Sequence, residues 1–584
     1  MTVWLPSSYK EIVDFIPFFR VCSIFLSTGL SQRVKLCVVT MNQGFKINGK
    51  CFHIEGFLKA SFLCFLLVFS SIHSPKILYA NNVTIVNAAL VEQDQSADTI
   101  KVQFDLEWNN AWSDSVNNDA VWVFVKYCTS SCTSPATWSH ATMKTAGTNP
   151  SGTSGGTKGT SAFNSLNIIV PSDKRGAFIQ PAHVISGSGT VSFTSLKLVW
   201  DYAADGVSDA TASNSTIAVR VFAIEMVYIP EGGFIAGDPT SAAAAGFEAG
   251  DGTLDILPAV SSEAGISFRG SSGSSLTWYY NTDSNANDDA SGTSFDLSES
   301  FPKGFQAFYL MKYEITQGLY AAFLNTLTSA QDSARYPSFN GTSRYTISSG
   351  AASRAASRAN RACNFLSWRD LAAFADWAGL RPMTELEFEK AARGPLTPVD
   401  QEFSWGDNTI NAAAAGEIDT DDNGSAEAGA ETGVETITDL NANVTFGNVT
   451  WTTGDLSVGP LRAGIFAESA TTTRASTGAG YYGNMELSGN VAEMVVHLGN
   501  ATGRGYSGTH GDGTLDSSGN ATNPDWPGFT AGSGVNGAAG SGKRGGSWAD
   551  TTSARLFVSD RDDAADEVST RVNDRGGRAA RTAP

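Results

Sequence analysis

The chain has 584 residues, 39 basic and 58 acidic side chains, and a formal net charge of −19. Its length allows several domains, and its apolar content of 42% excludes a disordered chain. The negative charge argues against a nucleic-acid partner, because phosphate binding needs a basic surface. The low charged content of 17%, together with 59 glycines, is typical of a secreted, loop-rich protein.

The first 80 residues differ from the rest of the chain. Residues 60–72, ASFLCFLLVFSSI, form the longest apolar run and carry no charge. The run is shorter than the roughly 20 residues that a membrane span needs, and lysines precede it. We therefore expect an N-terminal extension and signal peptide over 1–80, with the signal at 41–80 and cleavage after Ala80. The remaining chain would be secreted or on the cell surface and would have no stable membrane span; a buried core helix is the alternative reading.

Two cysteines of the remaining chain lie close together in KYCTSSCTS. Cys128 and Cys132 have no second cysteine pair and no histidine near them in sequence, which argues against a zinc site. In an oxidising compartment a local disulfide is the better interpretation. Cys363, beside a predicted helix, is expected to be a buried thiol.

Residues 81–222 have the pattern of an all-β domain. Runs rich in β-branched and aromatic residues alternate with turns rich in glycine, serine and asparagine, which predicts an antiparallel sandwich. The runs are NVTIVNAAL, IKVQFDLEW, AVWVFVKY, FNSLNIIV, GTVSFTSLKLVW and STIAVRVFAI.

The segment NNVTIVNAALV, residues 81–91, follows the predicted cleavage site directly. It is β-branched and nearly uncharged. Such a strand could leave its own sheet and pair with the sheet edge of a neighbouring molecule. Head-to-tail exchange of this kind would build filaments. An ordinary edge strand within its own sandwich is the alternative.

The pattern changes after residue 222. EMVYIPEGGFIAGD, residues 225–238, predicts a hairpin, and a helix is expected to begin at Thr316. Two further helices carry capping boxes, one at Ser367 and Asp370 and one at Thr384 and Glu387. Beyond residue 395 the chain is rich in glycine with little periodicity, and loops of that length need a rigid organiser such as a bound cation.

Seven segments of this part resemble the formylglycine-generating enzyme family, also called the sulfatase-modifying factor family. The resemblance implies an α+β, C-type-lectin-like fold with much irregular structure over residues 223–584, preceded by the sandwich, as in some secreted bacterial proteins. The segments are EMVYIPEGGFIAGD (225–238), YEITQGLYAAFLN (313–325), GLRPMTELEFEKAARG (379–394), FSWGDN (403–408), YYGNMELSGNVAEMV (481–495), KRGGSW (543–548) and RGGRAAR (575–581).

The family's enzymes oxidise a substrate cysteine with two active-site cysteines, copper and oxygen. The matching positions here hold Asp550 and Arg555, and the chain has no cysteine after Cys363. Carboxylate and guanidinium groups cannot replace thiolates as ligands for Cu(I). We therefore expect a pseudoenzyme with no catalytic residues and no copper.

The resemblance also implies calcium binding in MELSGNVAEM. The expected ligands are the side chains of Glu486 and Glu493 and the carbonyl oxygens of Gly489 and Val491; the family usually has asparagine where Glu486 stands. Such oxygen donors suit calcium. A solvated acidic turn is the alternative.

A weaker calcium candidate lies in DTDDNG. Asp419, Asp421 and Asn423 reproduce the start of a calcium loop, but the glutamate expected at its twelfth position is missing. A flexible acidic loop is an equally good interpretation. For the family's other calcium site, Asn443 and Asn448 both remain possible.

Three functions follow from these patterns. The first is a secreted, non-catalytic, calcium-stabilised surface or fibre subunit that self-associates. The second is a carbohydrate- or peptide-binding surface protein that uses aromatic side chains such as Tyr481, Tyr482 and Trp526. The third is an enzyme of altered chemistry that uses His510 and Asp512.

Overall fold

The computed structural model divides the chain into two compact units, residues 1–77 and 78–584. The first unit contains two antiparallel strand pairs. The predicted signal-peptide run 60–72 lies outside the described residues. Also outside them are 1–8, 13–23, 28–32, 43–45, 56–82, 131, 133–136, 145–155, 159–160, 164–165, 186–189, 215, 241–244, 251–256, 270–277, 282–287, 289–293, 352, 420–434, 453–455 and 468–472.

The described elements are mainly strands, with few helices. The strands of the first unit are β1 (Tyr9–Ile12), β2 (Ile24–Ser27), β3 (Arg33–Asn42) and β4 (Lys46–Glu55). Those of the second unit, up to residue 311, are β5 (Val83–Asp94), β6 (Thr99–Asn109), β7 (Asp119–Cys128), β8 (Ser139–His140), β9 (Gly156–Lys158), β10 (Ser161–Phe163), β11 (Leu166–Ile169), β12 (Ala177–Pro181), β13 (Thr190–Asp201), β14 (Ala218–Ile229), β15 (Phe234–Ile235), β16 (Glu248–Ala249), β17 (Ala259–Val260), β18 (Ile266–Arg269), β19 (Trp278–Tyr279), β20 (Phe295–Leu297) and β21 (Phe308–Met311).

The later strands are short, and the helices lie mainly between them. The strands are β22 (Arg381–Pro382), β23 (Ile418–Asp419), β24 (Thr436–Ile437), β25 (Ala492–Val496), β26 (Phe529–Thr530), β27 (Gly534–Val535), β28 (Ser541–Arg544), β29 (Arg575–Gly576) and β30 (Ala579–Thr582). The helices are α1 (Asp209–Ala212), α2 (Gln317–Leu324), α3 (Ser329–Arg335), α4 (Trp368–Trp377), α5 (Glu385–Arg393), α6 (Arg474–Thr477), α7 (Ala501–Arg504) and a 3₁₀ turn (Ser553–Leu556).

Two large sheets organise the second unit. One has five strands in the order β10-β9-β13-β6-β5, and the other has eight along the path β11-β12-β7-β14-β21-β30-β22, with β8 beside β7. A single apolar cluster contains inward-facing side chains of both sheets, including Phe104 of β6, Val123 of β7 and Trp200 of β13. The alternating buried positions of β6 and β13 therefore pack against the larger sheet.

Strand β14 runs across the boundary expected at residues 222 and 223. Its register pairs Ala218 with Cys128 and Val227 with Asp119 on β7. On its other side, Met226 pairs with Met311 and Ile229 with Phe308 on β21. The N-terminal strand region and the rest of the unit thus share one continuous sheet.

The hairpin expected over 225–238 is wrong. Residues 225–229 form the end of β14, and β15 pairs with β17 instead. Both edges of β14 are already occupied, by β7 and by β21, so no edge is free for β15. Pro230 then ends the strand, because proline has no backbone N–H to donate to a ladder.

The helices predicted from capping signals are confirmed. Thr384 Oγ1 accepts from the backbone N–H of Glu387 at 3.1 Å, and a Glu387 carboxylate oxygen accepts from the Thr384 N–H at 3.0 Å, which starts α5. Helices α2 and α4 likewise follow Thr316 and Ser367. Among the described residues, no helix is long and apolar enough to cross a bilayer.

Helix α5 is buried along its whole length, including its charged side chains. Glu385 accepts from Arg561 Nε at 2.7 Å, and Glu389 accepts from Arg544 Nη2 at 2.8 Å. Each carboxylate therefore has a buried guanidinium partner, which offsets the cost of removing both charges from water. These ion pairs fix the helix beneath the glycine-rich C-terminal segments.

Candidate functional site

The two positions that match the family's catalytic cysteines lie in separate surface turns. The carboxylate of Asp550 accepts from the backbone N–H and the hydroxyl of Ser547, at 2.8 and 2.9 Å. Arg555, in the 3₁₀ turn, forms ion pairs with Asp562 and, at 3.5 Å, with Asp563. Both side chains are engaged in local polar contacts, and neither can bind soft Cu(I) as a thiolate would.

The segment expected to bind calcium enters strand β25 through a tight turn. Glu486 and Gly489 have positive φ angles of 51° and 87°. A Cβ on Gly489 would lie 2.4 Å from Val444 Cγ2 and 2.8 Å from the Thr445 carbonyl oxygen. Glycine is therefore required at this position, both for the backbone conformation and for the close approach.

The two glutamates of this segment are both buried, and each has one oxygen engaged and one without a partner. Glu486 Oε1 accepts from the Gly464 N–H at 2.7 Å, and Glu493 Oε1 accepts from Arg578 Nε at 2.7 Å. Among the described residues, Oε2 of neither glutamate has a hydrogen-bond partner. A buried carboxylate oxygen without a donor is costly, and a cation is one group that would satisfy it.

The backbone supplies two further oxygens beside them. Within the described part of the chain, no donor hydrogen-bonds to the carbonyl oxygen of Gly489 or of Val491. The backbone N–H groups at both positions are engaged, with the Gly545 carbonyl and with Glu314. Among the described residues, none of the four oxygens expected as ligands accepts a hydrogen bond.

A third buried carboxylate, Glu314, lies against the same turn. Its oxygens accept from the side-chain amide of Asn490 at 2.6 Å and from the Val491 N–H at 2.9 Å. Burial raises the pKa of Glu314 well above its usual value, and the carboxylates of Glu486 and Glu493 raise it further. Arg578 and, beside Glu486, Arg462 oppose these shifts, so three buried carboxylates face two guanidinium groups at this turn.

The same imbalance governs the predicted ligands. Burial raises the pKa of Glu486 to about 7, although Arg578 opposes the shift. Burial likewise raises the pKa of Glu493, again against Arg578. Both pKa values are raised because burial outweighs the positive charge nearby. A bound divalent cation would supply additional positive charge.

This oxygen set fits a hard cation such as calcium. Two carboxylates and two carbonyls would leave room for water in a shell of six to eight oxygens. Among the described residues, no three His, Cys, Asp or Glu side chains are arranged to share one metal ion. The candidate instead combines side-chain and backbone oxygens.

The weaker calcium candidates differ in how much can be described. Asp421 and Asn423 lie outside the described residues, and only the backbone of Asp419 is described, in β23. The side chain of Asn443 is engaged with the Asn411 N–H and the Ala475 carbonyl, each at 3.1 Å. Asn448 has a positive φ of 53°.

His510 and Asp512, the pair considered for catalysis, each make polar contacts with other groups. Its Nε2 accepts from the Thr582 N–H at 3.0 Å, and its Nδ1 lies 3.6 Å from Asp173 Oδ2. Burial lowers the pKa of His510 to about 4, so the ring is neutral near pH 7. The carboxylate of Asp512 accepts from the Thr514 N–H in its own turn.

The aromatic side chains expected on a binding surface do not share one. Trp526 and Tyr482 are buried, with 1% and 4% of their surfaces exposed. Trp526 Nε1 donates to the Thr509 carbonyl, so its polar atom is engaged inside the protein. Tyr481 alone of the three is exposed, at 38%.

The three cysteines after residue 80 comprise one bonded pair and one buried thiol. Cys128 and Cys132 are joined by a disulfide with a Cα–Cα distance of 5.6 Å. Cys363 is a buried free thiol, and burial raises its pKa well above the usual value. It is therefore protonated at neutral pH and is no source of thiolate.

Two residues of the candidate site were not identified from the sequence. Glu314 stands in the segment YEIT, and Arg578 stands in RGGR, 85 residues beyond Glu493. Both segments resemble motifs of the family, so a charged residue within a motif was the signal that could have identified these two side chains. Only the fold brings them against Glu486 and Glu493.

The sequence model of one protein family matches the C-terminal part of the chain. It is the sulfatase-modifying factor enzyme 1-like domain, and it covers residues 301–583. The matched range contains Glu314, the turn from Glu486 to Glu493, and Arg578, which meet at the candidate cation site. No curated protein sequence matches the chain. Residues 301–583 are thus a sulfatase-modifying factor enzyme 1-like domain, in which Asp550 and Arg555 stand where the resemblance places the catalytic cysteines.

Proposed function

We propose that the protein is a secreted, non-catalytic, calcium-stabilised subunit of a cell surface or extracellular fibre. One observation carries the proposal: the chain keeps an unused set of buried oxygens at the calcium motif but lacks both catalytic thiols. Selection on such a chain would preserve a stable scaffold rather than a reaction.

The loss of the thiols supports a non-catalytic role. Cys363 is the only cysteine within residues 301–583. It is buried and protonated, and it lies far in sequence from Asp550 and Arg555. A copper-dependent oxidation of a substrate cysteine would therefore have no thiolate ligands.

The oxygen set supports calcium as the stabilising ion. Glu486 Oε2, Glu493 Oε2 and the carbonyl oxygens of Gly489 and Val491 would hold it. The ion would neutralise the excess of buried carboxylates and pin a glycine-rich turn that has little regular structure of its own. Arg578 would hold the Glu493 side chain in position for the ion by donating a hydrogen bond to its other carboxylate oxygen.

Strand β5 supports self-association. It forms one edge of the five-stranded sheet, and most of its side chains are exposed or half-exposed, Val86 at 49%. Its pairing with β6 is interrupted between Val86 and Ala89 and again between Val91 and Asp94. A strand held by an interrupted ladder can be exchanged with a neighbouring molecule more easily than a central strand.

The finer fold assignment belongs to the same proposal. We interpret the two sheets around Phe104 and Trp200 as a sandwich, and residues 301–583 as a C-type-lectin-like fold. The composition, the disulfide and the apolar run at 60–72 support secretion. Such a disulfide persists in oxidising compartments.

Light scattering and negative-stain electron microscopy of the secreted protein, with calcium and with EDTA, test this function. We expect assemblies larger than a monomer that lose stability or order when calcium is removed. A monodisperse monomer at high concentration in both buffers would contradict the proposal.

A second candidate function is carbohydrate binding, and one surface feature favours it. A cleft of about 680 Å³, here called the tyrosine cleft, crosses one end of the larger sheet beside Tyr228 and Tyr309. Gln180, Asn118 and Glu231 also line it, and Gln180 accepts from the Tyr309 hydroxyl at 2.9 Å. Aromatic rings beside amide and carboxylate groups are a chemistry that sugars can use.

A glycan array with the wild-type protein tests this alternative, with Tyr228→Ala as the variant and Tyr481→Ala as the control. Tyr481 is exposed but lies outside the tyrosine cleft. Binding that is lost only in Tyr228→Ala would support it. Equal loss in both variants, or no binding by the wild type, would contradict it.

A further inference from the structure

Three buried charged side chains lie together where β7, β14 and β21 run side by side. Asp119 begins β7, Glu225 lies on β14 between the other two strands, and Lys312 directly follows β21. Their exposed fractions are 1%, 6% and 6%. The three groups therefore lie in the interior of the protein, where charges are costly.

The strand register places the three side chains on one face of the sheet. Asp119 pairs with Val227, two residues beyond Glu225 on β14, and side chains two residues apart point to the same face. The backbone N–H of Lys312 donates to the Glu225 carbonyl at 3.0 Å, so Lys312 lies opposite Glu225. The Lys312 side chain can thus cross β14 and reach β7.

The ammonium group of Lys312 contacts both carboxylates. Its Nζ donates to Asp119 Oδ2 at 2.8 Å and lies 3.5 Å from Glu225 Oε2. Burial raises the pKa of Glu225 to about 7, Lys312 opposes the shift, and Asp119 adds to it. Glu225 can therefore accept and release a proton near neutral pH.

The other buried lysines do not share this arrangement. The side chains of Lys126, Lys303 and Lys390 donate to backbone carbonyl oxygens. Among the buried lysines that the structure describes, only Lys312 donates to a carboxylate. Only there does a buried amine contact a carboxyl group with which it could condense.

We propose that Lys312 and Asp119 condense to an intramolecular amide, with Glu225 as the group that moves the protons. Nζ gives one proton to Glu225, and the freed lone pair forms a bond to Cγ of Asp119. The bond from Cγ to one carboxylate oxygen breaks, and that oxygen leaves as water with two of the three ammonium protons, one of them relayed through Glu225. The nitrogen keeps the third proton, Glu225 returns to its first state, and the reaction needs no oxidant or reductant.

Burial favours this reaction, although it is unfavourable in water. Hydration stabilises a free ammonium group and a free carboxylate, and inside the protein that hydration is lost. The amide replaces one buried cation and one buried anion by a neutral group. The fold already holds the nitrogen against the carboxyl group, so the entropy cost of bringing the two together is paid by folding.

The amide would join β7 covalently to the segment after β21. It would thereby link the N-terminal strands to the domain matched at residues 301–583. The proposal is independent of calcium binding and of self-association, because it uses none of the candidate calcium ligands and acts within one chain. The reaction occurs once, on the protein's own side chains, and requires no substrate.

Peptide mapping of the purified full chain by mass spectrometry tests the proposal. Trypsin cuts after unmodified lysine and arginine, so an unlinked chain yields the peptides 102–126, 304–312 and 313–335. Trypsin does not cut after an acylated lysine, so the amide gives 102–126 joined to 304–335, lighter than the two separate peptides by one water. We expect this joined species, with fragment ions that place the link at Asp119 and Lys312. Unlinked 102–126 and 313–335 without the joined species would overturn the proposal.

A variant at Glu225 tests its part in the reaction. Glu225→Gln keeps the size of the side chain but removes its capacity to accept a proton, so the linked fraction should fall at least about tenfold. Glu299→Gln, at an exposed carboxylate, is the matched control and should be linked as the wild type is. A fully linked Glu225→Gln protein would overturn the proposal.

A further variant covers the case in which Glu225→Gln fails to fold. Lys312→Arg keeps a positive charge between the two carboxylates, but a guanidinium group does not condense with a carboxylate. Circular dichroism checks that the variant folds. Free peptide 102–126 from the folded variant supports the proposal, and a species that still joins 102–126 to 304–312 or 313–335 overturns it.

Discussion

Lys126 Nζ donates a hydrogen bond of 2.9 Å to the carbonyl oxygen of Gly513, deep between the N-terminal strands and the C-terminal half of the second unit. Lys126 belongs to β7, and its side chain has no exposed surface. On the same strand, Trp122 Nε1 donates to the Ala378 carbonyl at 2.8 Å. Strand β7 is therefore fixed to the sulfatase-modifying factor enzyme 1-like domain by buried polar contacts as well as by apolar packing.

The first prediction concerns Asp376, whose carboxylate lies in this junction. Burial raises its pKa to about 7 from an ordinary value of 3.8; Asp512 adds to the shift, and Lys126 opposes it. Because the folded state holds the proton more tightly, this contribution to stability is complete below about pH 4 and is lost as the pH rises to about 7. In the wild type, this group should lower the unfolding free energy by at most about 1.4 kcal/mol per pH unit as the pH rises through this range. In Asp376→Asn this pH-dependent loss of stability should be absent.

Urea denaturation at several pH values between 4 and 8 measures the effect. Lys126 titrates in the same junction, since burial lowers its pKa to about 7, but its contribution is lost as the pH falls from about 10 to about 7. Asp98→Asn, at an exposed turn, is the control and should follow the wild type. Parallel stability curves for Asp376→Asn and wild type would contradict the prediction.

Calcium should stabilise the domain through Glu486. A ligand that binds only the folded state, at 100 times its dissociation constant, adds about 2.7 kcal/mol to the unfolding free energy. Glu486→Gln retains an acceptor for the Gly464 N–H but removes a charge, so the rise in melting temperature on adding calcium should shrink. Differential scanning calorimetry in calcium and in EDTA measures it.

The control for that experiment is Glu299→Gln, which changes an exposed carboxylate far from the turn in sequence. It should respond to calcium as the wild type does. The calcium prediction would be wrong if the wild-type melting temperature does not change in excess EDTA and elemental analysis shows that the protein has retained no metal.

Cysteine-oxidising activity should be absent. With Asp550 and Arg555 at the thiol positions, incubation with copper, oxygen and a sulfatase-motif peptide should leave the peptide cysteine unchanged. Mass spectrometry of the peptide detects the aldehyde, and an active enzyme of the family serves as the positive control. Any turnover above the protein-free background would refute the assignment of a pseudoenzyme.

The secreted protein should contain one disulfide and one free thiol within residues 81–584. Cys128 and Cys132 are expected to resist alkylation until they are reduced, whereas Cys363 should react only after unfolding, because it is buried. Peptide mapping with two isotopic alkylating reagents, applied before and after reduction, separates the three. A labelled Cys128 in the unreduced, folded protein would argue against the disulfide and against export.

Strand β5 should drive assembly through its edge. A lysine on an exposed sheet edge opposes pairing with another strand, so Val86→Lys should reduce the assembled fraction strongly. Val184→Lys makes the same change at an exposed residue after β12 and should leave assembly intact. Deletion of residues 81–91 is the stricter version, and light scattering that is unchanged by both Val86→Lys and the deletion would exclude this strand.

Local signals explain why several elements could be predicted. A capping box depends only on residues within a span of four positions. Both predicted boxes, Thr384 with Glu387 and Ser367 with Asp370, are followed by the expected helices. The long strands β6 and β13 likewise carry their pattern in one run. Strand β12, Ala177–Pro181, was missed, because it is short and ends in a proline.

The rest depends on contacts between distant segments. The hairpin expected at 225–238 is absent because strands far away in sequence occupy both edges of β14. The predicted ligands Glu486 and Glu493 came from the family resemblance, but the excess of negative charge around them depends on Glu314. That residue precedes Glu486 by more than a hundred positions, and no local pattern connects the two.

Strand β14 also determines how the molecule would carry a load. Residues 218–227 of the strand pair with β7 and residues 226–229 pair with β21, so tension along it would act on these ladders in shear. Many backbone hydrogen bonds would have to break together, whereas a flexible linker would simply extend. In the fibre proposed above, the strand region and the enzyme-like domain would therefore resist pulling as one mechanical element.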